Sequence, residues 1–189
     1  MAQEHLTTAR MEAFSDGVIA VIITIMVLEL HVPAEHLSNL EALRAVAPTL
    51  LIYLLSFVQV GIYWVNHHYL LDDAEVATHG TLWANLAFLF SLSLFPFAAR
   101  WVGERGISSF SIALYAVVSA FPAFSWLVLS YIIWHTSGTK SADGPAKQFT
   151  SSALYLGAIP VAFLSPYAAL GMLILVAILW LIPPRKLFH

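Results

Sequence analysis

The sequence has no cysteine among its 189 residues, which excludes disulfide bonds, thiolate metal sites and cysteine nucleophiles. Charged side chains are also scarce. They make up 10% of the chain, against about 25% in an average soluble domain. So few charges cannot cover a water-facing surface, and the basic residues form no patch of the kind that binds nucleic acid. We therefore expect a lipid bilayer as a partner and no nucleic acid.

Several motifs that would indicate other functions are missing from the sequence. It has no His-Glu-x-x-His run and no Gly-x-Ser-x-Gly run, which are signatures of two hydrolase classes. No helix carries the periodic arginines of a voltage sensor. We expect no enzyme activity, no cofactor and no resident metal.

Hydrophobic residues are abundant, at 60% of the chain, and they fall into segments separated by short connections. Most segments match the roughly 20 residues that cross a bilayer. A single helix kinked at Pro160 or Pro166 is an alternative for the last two, but residues 149–182 are too long for one crossing. The sequence therefore predicts an all-α membrane protein, with residues 1–189 forming one domain of six transmembrane helices. These helices are expected at residues 10–30, 45–71, 81–101, 108–135, 149–164 and 166–182.

An even number of crossings places both ends of the chain on the same side of the membrane. That side would carry five basic residues: Arg10, Lys140, Lys147, Arg185 and Lys186. The other side would carry three: Arg44, Arg100 and Arg105. The excess of positive charge predicts cytoplasmic termini, in a multi-pass protein of the cell membrane. The acidic flank of the first segment, with Glu4, Glu12 and Asp16, argues against a signal peptide.

Asp16 stands at the start of the first predicted helix. A carboxylate in a membrane helix is costly unless protein groups or a wet cavity receive it. At about 100° per residue, one stripe of this helix is apolar with a single hydroxyl and points away from Asp16. The stripe consists of Val21, Thr24, Ile25 and Leu28. Either Thr24 bonds back to its own helical turn or its hydroxyl serves a pore.

Candidate hydrogen-bond donors for Asp16 lie on the second and third helices. They are Trp64, His67, His68 and Asn85. A network joining them to Asp16 would fix the packing of the first three helices. Its role is either purely structural or connected to conduction.

The first helix, read as R-M-E-A-F-S-D-G-V-I-A-V-I-I-T-I-M-V-L-E, resembles the signature of the transmembrane protein 175 family of potassium channels. The similarity extends to residues 61–68, where a Trp is followed three residues later by a His, and to Asn85 with Pro96 after it. The resemblance implies six helices per repeat, with one repeat in this chain. It also implies a homotetramer in which the first helix of each subunit lines a central pore, without a filter loop of backbone carbonyls. The sequence agrees, since it has no Thr-Val-Gly-Tyr-Gly run.

The resemblance also implies roles for individual residues. Val21 stands where the family has the isoleucine or leucine of its narrowest apolar ring, and Ile25 and Leu28 match further pore-facing positions. Thr24 matches a threonine implicated in potassium preference. The positions matching the network that holds the helices together are Arg10, Phe14, Ser15, Asp16, Trp64, His67 and Asn85.

These observations together predict a leak-type cation channel with modest selectivity for potassium, which is the permeant ion. A hydrophobic constriction of Val21, Ile25 and Leu28 would gate by dewetting. Glu29, near the end of the helix, would add a negative ring if it faces the pore. The alternatives are a proton-permeable channel and a proton-coupled secondary transporter, in which Asp16 and His67 would relay protons.

An intramembrane enzyme and a structural or assembly subunit are two further alternatives to the channel. His67 and His68, together with Asp72 and Asp73, have the residue types of a metal site, and bound zinc there would favour an intramembrane enzyme. We expect the two aspartates to lie in a solvated loop instead. A structural or assembly subunit is the other class, and the tryptophans near helix ends do not exclude it, because any membrane protein carries them.

Overall fold

A computed structural model describes residues 8–31, 38–72, 74, 77–138 and 145–181, and this part of the chain is a bundle of α-helices without strands. The all-α class predicted from the sequence is confirmed. The helices are α1 Thr8–Leu28, α2 Asn39–Asp72, α3 His79–Leu92, α4 Phe95–Arg105, α5 Ser109–Ser137, α6 Pro145–Leu164 and α7 Pro166–Leu181.

Four segments are long and apolar enough to cross a membrane. They are Thr8–Leu28, Asn39–Leu71, His79–Arg105 and Ser109–Ser137. The 20-residue α6 is not among them, and the apolar α7 has only 16 residues. At 1.5 Å per residue α7 extends about 24 Å, somewhat less than the hydrocarbon core of about 30 Å. The protein therefore has several membrane-spanning segments, with a shorter helix at the end of the described chain.

The third predicted helix, expected as one element over residues 81–101, is divided into α3 and α4. Proline lies in the first turn of α4, where its missing N–H group costs nothing. The backbone N–H of Ser93 bonds to the carbonyl of Leu89 at 3.0 Å and closes α3. Together the two helices still form one span, His79–Arg105, so the break changes the path of the segment and keeps a single crossing.

Helix starts also differ from the predictions, and the reason is capping. Helix α2 begins at Asn39 instead of residue 45, because Ser38 and Glu41 form a reciprocal cap. The Ser38 N–H donates to Glu41 Oε2 at 3.0 Å, and the Glu41 N–H donates to Ser38 Oγ at 3.4 Å. Helix α6 begins at Pro145 instead of residue 149, since proline suits the first turn of a helix.

Helices α6 and α7 are separated only by Ser165, and they pack against each other. Ser165 Oγ accepts the backbone N–H of Ala168 at 3.3 Å, so it caps the start of α7. Two helices that fold back into contact are a hairpin, and the alternative of one kinked helix does not apply.

Helix α5 occupies the centre of the bundle and packs against α3, α4, α6 and α7. Helix α1 lies at the edge and contacts α2, α3 and α4. Its buried residues recur every three or four positions and so form one face: Met11, Ser15, Ile19, Ile22 and Met26. The opposite face of α1 is therefore left without cover inside the protomer.

Candidate functional site

The uncovered face of α1 contains the stripe predicted from the sequence. The exposed fractions of Val21, Ile25 and Leu28 are 54%, 42% and 73%, and Thr24 is exposed beside them. Three large apolar side chains exposed on one helix face would be covered either by lipid or by other copies of the chain. We call Val21, Thr24, Ile25 and Leu28 the α1 stripe.

The Thr24 hydroxyl bonds within its own helix. Its Oγ1 lies 2.9 Å from the Ala20 carbonyl oxygen and 3.0 Å from that of Val21, and it donates its proton to this pair. Of the two alternatives for Thr24, back-bonding is therefore present. The hydroxyl oxygen also has two lone pairs that this donated hydrogen bond does not use.

An open groove of about 850 Å³ runs beside the α1 stripe, between α1 and α4. Phe14 lines it near one end, and its side chain is exposed. Arg10 is exposed too and makes no hydrogen bond or ion pair within the described residues. The membership of Arg10 and Phe14 in the network that holds the helices together stays a prediction.

Two acidic residues of α1 bind two residues of α2. Trp64 Nε1 donates to Asp16 Oδ1 at 2.8 Å, and His68 Nδ1 lies 2.7 Å from Glu12 Oε1. The rings of Trp64 and His68 are stacked, with centroids 6.5 Å apart. Because both pairs are spaced by four residues, they fall on matching turns of the two helices. They hold the α1 face that carries Asp16 against α2.

A second chain of hydrogen bonds is fully buried and joins three helices. Asn85 Nδ2 donates to Ser15 Oγ at 2.8 Å, and Ser15 Oγ donates to the Met11 carbonyl at 2.8 Å. On its other side Asn85 Oδ1 lies 2.7 Å from His67 Nε2. Since Oδ1 only accepts, His67 Nε2 carries the proton. The imidazole also stacks on the Phe88 ring at 5.6 Å.

The structure therefore differs from the single network predicted around Asp16. Of the candidate donors, only Trp64 bonds to Asp16. Asn85 reaches Ser15 instead, and His68 pairs with Glu12. Glu12 was absent from the predicted site, although its spacing of four residues from Asp16 matches that of Trp64 and His68.

The carboxylate of Glu29 does not stand alone at the end of α1. Its Oε2 lies 3.4 Å from Nη1 of Arg100 on α4. The negative charge of Glu29 is thus partly neutralised by Arg100.

A metal site is not formed by the described residues, where no group of three His, Asp or Glu side chains is placed to hold an ion. His67 and His68 face separate partners, Asn85 and Glu12. Asp73 and the side chain of Asp72 lie outside the described residues. So do four residues used to predict orientation and the absence of a signal peptide: Glu4, Lys140, Arg185 and Lys186.

These features define a class of protein. It is an all-helical membrane protein whose first helix has an exposed apolar stripe on one face and polar contacts with α2 and α3 on its other faces. Residues 10–96 match the sequence profile of the family described as endosomal/lysosomal potassium channel TMEM175. A potassium channel from Chryseobacterium sp. (strain P1-3) is 40% identical over 187 residues, which cover 96% of both proteins. The chain belongs to the TMEM175 family, and the resemblance found in its first helix is confirmed.

Two further relatives show how the similarity extends. The crystal structure of a lysosomal potassium-selective channel TMEM175 homologue from Chamaesiphon minutus superposes with a TM-score of 0.77 at 26% identity, covering 92% of this chain and 96% of that one. The endosomal/lysosomal proton channel TMEM175 of Gallus gallus is 32% identical over 144 residues, which are 71% of this chain and 29% of the animal protein. The fold is therefore shared with the bacterial relative over 92% of this chain.

Proposed function

We propose that the protein is a potassium channel in which the α1 stripes of several copies surround one pore. The supporting observation is the exposure of Val21, Ile25 and Leu28 on a helix whose opposite face is buried and hydrogen-bonded. One lining helix cannot enclose a conduit, so several subunits are needed. Four copies follow from the resemblance to the family, and a homotetramer is part of the proposal.

The pore would be closed by its own apolar lining. Rings of Val21, Ile25 and Leu28 form a narrow throat from which water withdraws, and an ion without its water shell cannot pass. A small rotation or outward tilt of each α1 would widen the rings, rehydrate the throat and admit a partly hydrated potassium ion. No ATP and no counter-ion is required, which makes the flux a passive leak.

The contacts on the other face of α1 would set the direction of the stripe. Asp16 is held by Trp64, and Ser15 by Asn85, so the helix cannot turn freely about its axis. The proposed role of these residues, and of His67 behind Asn85, is to position α1. Arg10 and Phe14, exposed in the protomer, would then contact a neighbouring subunit or lipid.

Thr24 is the proposed selectivity residue. A ring of Thr24 hydroxyl oxygens would replace part of the hydration shell, which potassium releases more readily than sodium. We expect Thr24→Ala to lower the potassium-to-sodium permeability ratio by about threefold, equivalent to about 0.6 kcal/mol. Bi-ionic reversal potentials of the reconstituted channel measure this ratio. Thr24→Ser, which keeps the hydroxyl, is the matched control, and an equal loss in both variants would remove the hydroxyl from selectivity.

The function is tested by ion flux into liposomes that contain the purified protein. A potassium gradient alone should drive uptake, and sodium uptake should be slower. If potassium moves only when a proton or sodium gradient is supplied, the protein is a coupled transporter and the channel proposal fails.

Proton permeation is the second candidate, because the Gallus gallus relative is named as a proton channel. A narrow wetted throat passes protons along its water more easily than it passes hydrated cations. The same liposomes decide this when a pH-sensitive dye is enclosed. Proton flux that persists without potassium would add protons to the permeant ions.

We also propose that the chain resides in the cell membrane with both termini in the cytoplasm. Arg10 lies in the first turn of α1, and Lys147 lies in the first turn of α6. In the predicted topology both helices start from the same side of the membrane, and positive charge at that side favours the cytoplasm. A protease applied to intact cells should leave a tag at either terminus uncut. Cleavage of the tag would place that terminus outside the cell and contradict the proposed orientation.

A further inference from the structure

One arginine lies between two carboxylates at the end of the α1 stripe. Glu29 directly follows Leu28, the last residue of α1. Arg100 Nη1 lies 3.4 Å from Glu29 Oε2, and Arg100 Nε donates to Glu104 Oε1 at 2.8 Å. We call Glu29, Arg100 and Glu104 the charged cluster. It links the end of α1 to α4.

The charged cluster separates two cavities. On one side is the apolar groove of about 850 Å³ that runs along Val21 and Ile25. On the other is a more polar cavity of about 340 Å³ whose lining includes His31 and Glu104. Glu29 and Arg100 line both. The ion pair therefore lies where the apolar surface beside the α1 stripe gives way to a polar one.

The charges of this cluster do not cancel. Two carboxylates against one guanidinium leave one net negative charge in each protomer. The side chain of Arg100 is half exposed, at 52%, so its charge acts on ions in the adjoining water. The C-terminal end of α1 adds the negative pole of its helix dipole. Without Arg100 the net charge of the charged cluster would change from one negative charge to two.

We propose that Arg100 sets the potassium conductance of the pore by limiting the negative potential at the end of α1. This inference rests on the proposed function, since it takes the α1 stripe as the pore lining. Cations gather at a negative entrance, and their local concentration controls the rate of entry. Arg100 lowers that concentration and keeps the leak small.

The test is the single-channel conductance in planar bilayers at two salt concentrations. At about 0.01 M potassium chloride, where the screening length is about 30 Å, we expect Arg100→Gln to raise the conductance by about two- to threefold. At about 1 M, where the screening length is about 3 Å, the variant and the native protein should have the same single-channel conductance.

Companion variants separate charge from packing. Glu29→Gln leaves the cluster neutral and should lower the conductance at low salt. Combining Glu29→Gln with Arg100→Gln restores one net negative charge and should restore the original conductance. Arg100→Lys keeps the charge and should change little. Arg105→Gln, which removes a guanidinium placed over the Trp101 ring at 5.4 Å, is the control and should have the smaller effect.

The outcomes are distinguishable. A conductance change that persists at high salt would mean that Arg100 acts by tying α1 to α4, and the inference fails. It also fails if Arg100→Gln leaves the low-salt conductance unchanged, or if Arg105→Gln raises it as much. Should Arg100→Gln not assemble, Glu29→Gln decides, because a conductance that stays the same or rises contradicts the charge mechanism. If the native protein shows no potassium conductance, the proposed function fails, and this inference fails with it.

Discussion

Replacing Ile25 with serine is expected to raise the passive potassium flux by about tenfold, equivalent to a barrier lowered by about 1.4 kcal/mol. In the proposed pore Ile25 forms one of the apolar rings that expel water. Serine is smaller and carries a hydroxyl, so the ring becomes wider and retains water, and an ion crosses it with more of its hydration shell. Flux into liposomes or single-channel recording measures the change.

The fold should tolerate this substitution, because Ile25 is not part of the buried core. Val27→Ser is the matched control. Val27 is on α1 and exposed to a similar extent, 47% against 42% for Ile25, but it lies about 120° from Val21 around the helix, off the stripe. It should leave the flux unchanged. Equal gains in both variants would show that hydrophobicity anywhere on α1 controls the flux, and would contradict a throat at Ile25.

Replacing Asn85 with leucine is expected to cause the largest loss of stability among single substitutions in the buried contacts. Asn85 bonds at once to Ser15 on α1 and to His67 on α2. His67 is fully buried, and its Nδ1 has no hydrogen-bond partner within the part of the chain that the structure describes. Leucine would therefore leave the whole imidazole without one. A buried unsatisfied group costs about 1–3 kcal/mol, although hydrogen bonds within membranes average nearer 0.6 kcal/mol.

We expect a loss of about 2 kcal/mol, seen as a thermal unfolding midpoint in detergent about 4–8 °C lower. The control is Asn66→Leu. Asn66 is half-buried on α2, and within the described residues its one side-chain hydrogen bond goes to the Ile62 carbonyl of its own helix at 2.8 Å. Its replacement should therefore shift the midpoint far less. If the unfolding midpoint falls equally in both variants, the contacts of Asn85 with Ser15 and His67 stabilise the fold no more than a hydrogen bond within one helix does.

The sequence predicts much of this architecture because membrane helices follow simple rules. Hydrophobic runs of sufficient length predict helices, and the period of about 3.6 residues predicts which residues share a face. The α1 stripe follows from these rules, and so does the opposite placement of Asp16. Hydrogen-bonding side chains in lipid must find partners, so Trp64 and Asn85 are recognisable as candidates before any fold is known.

The pairing of those candidates does not follow from the sequence alone. Which donor meets Asp16 and which meets Ser15 depends on how far each helix is shifted along its neighbour, and that shift is decided by packing. The same holds for the ion pair between Glu29 and Arg100, whose partners are far apart in the chain. The sequence does not predict the break between α3 and α4, because a proline in an apolar segment either bends a helix or starts a new one.

The natural absence of cysteine allows a direct test of whether the α1 stripe lines the pore. Leu28→Cys and Val27→Cys each place one thiol on neighbouring, exposed positions of α1. A charged methanethiosulfonate reagent added to conducting channels should abolish the potassium current of Leu28→Cys and leave that of Val27→Cys unchanged. An unaffected Leu28→Cys current despite labelling confirmed by mass spectrometry, or an equal block at Val27→Cys, would contradict a pore enclosed by this stripe.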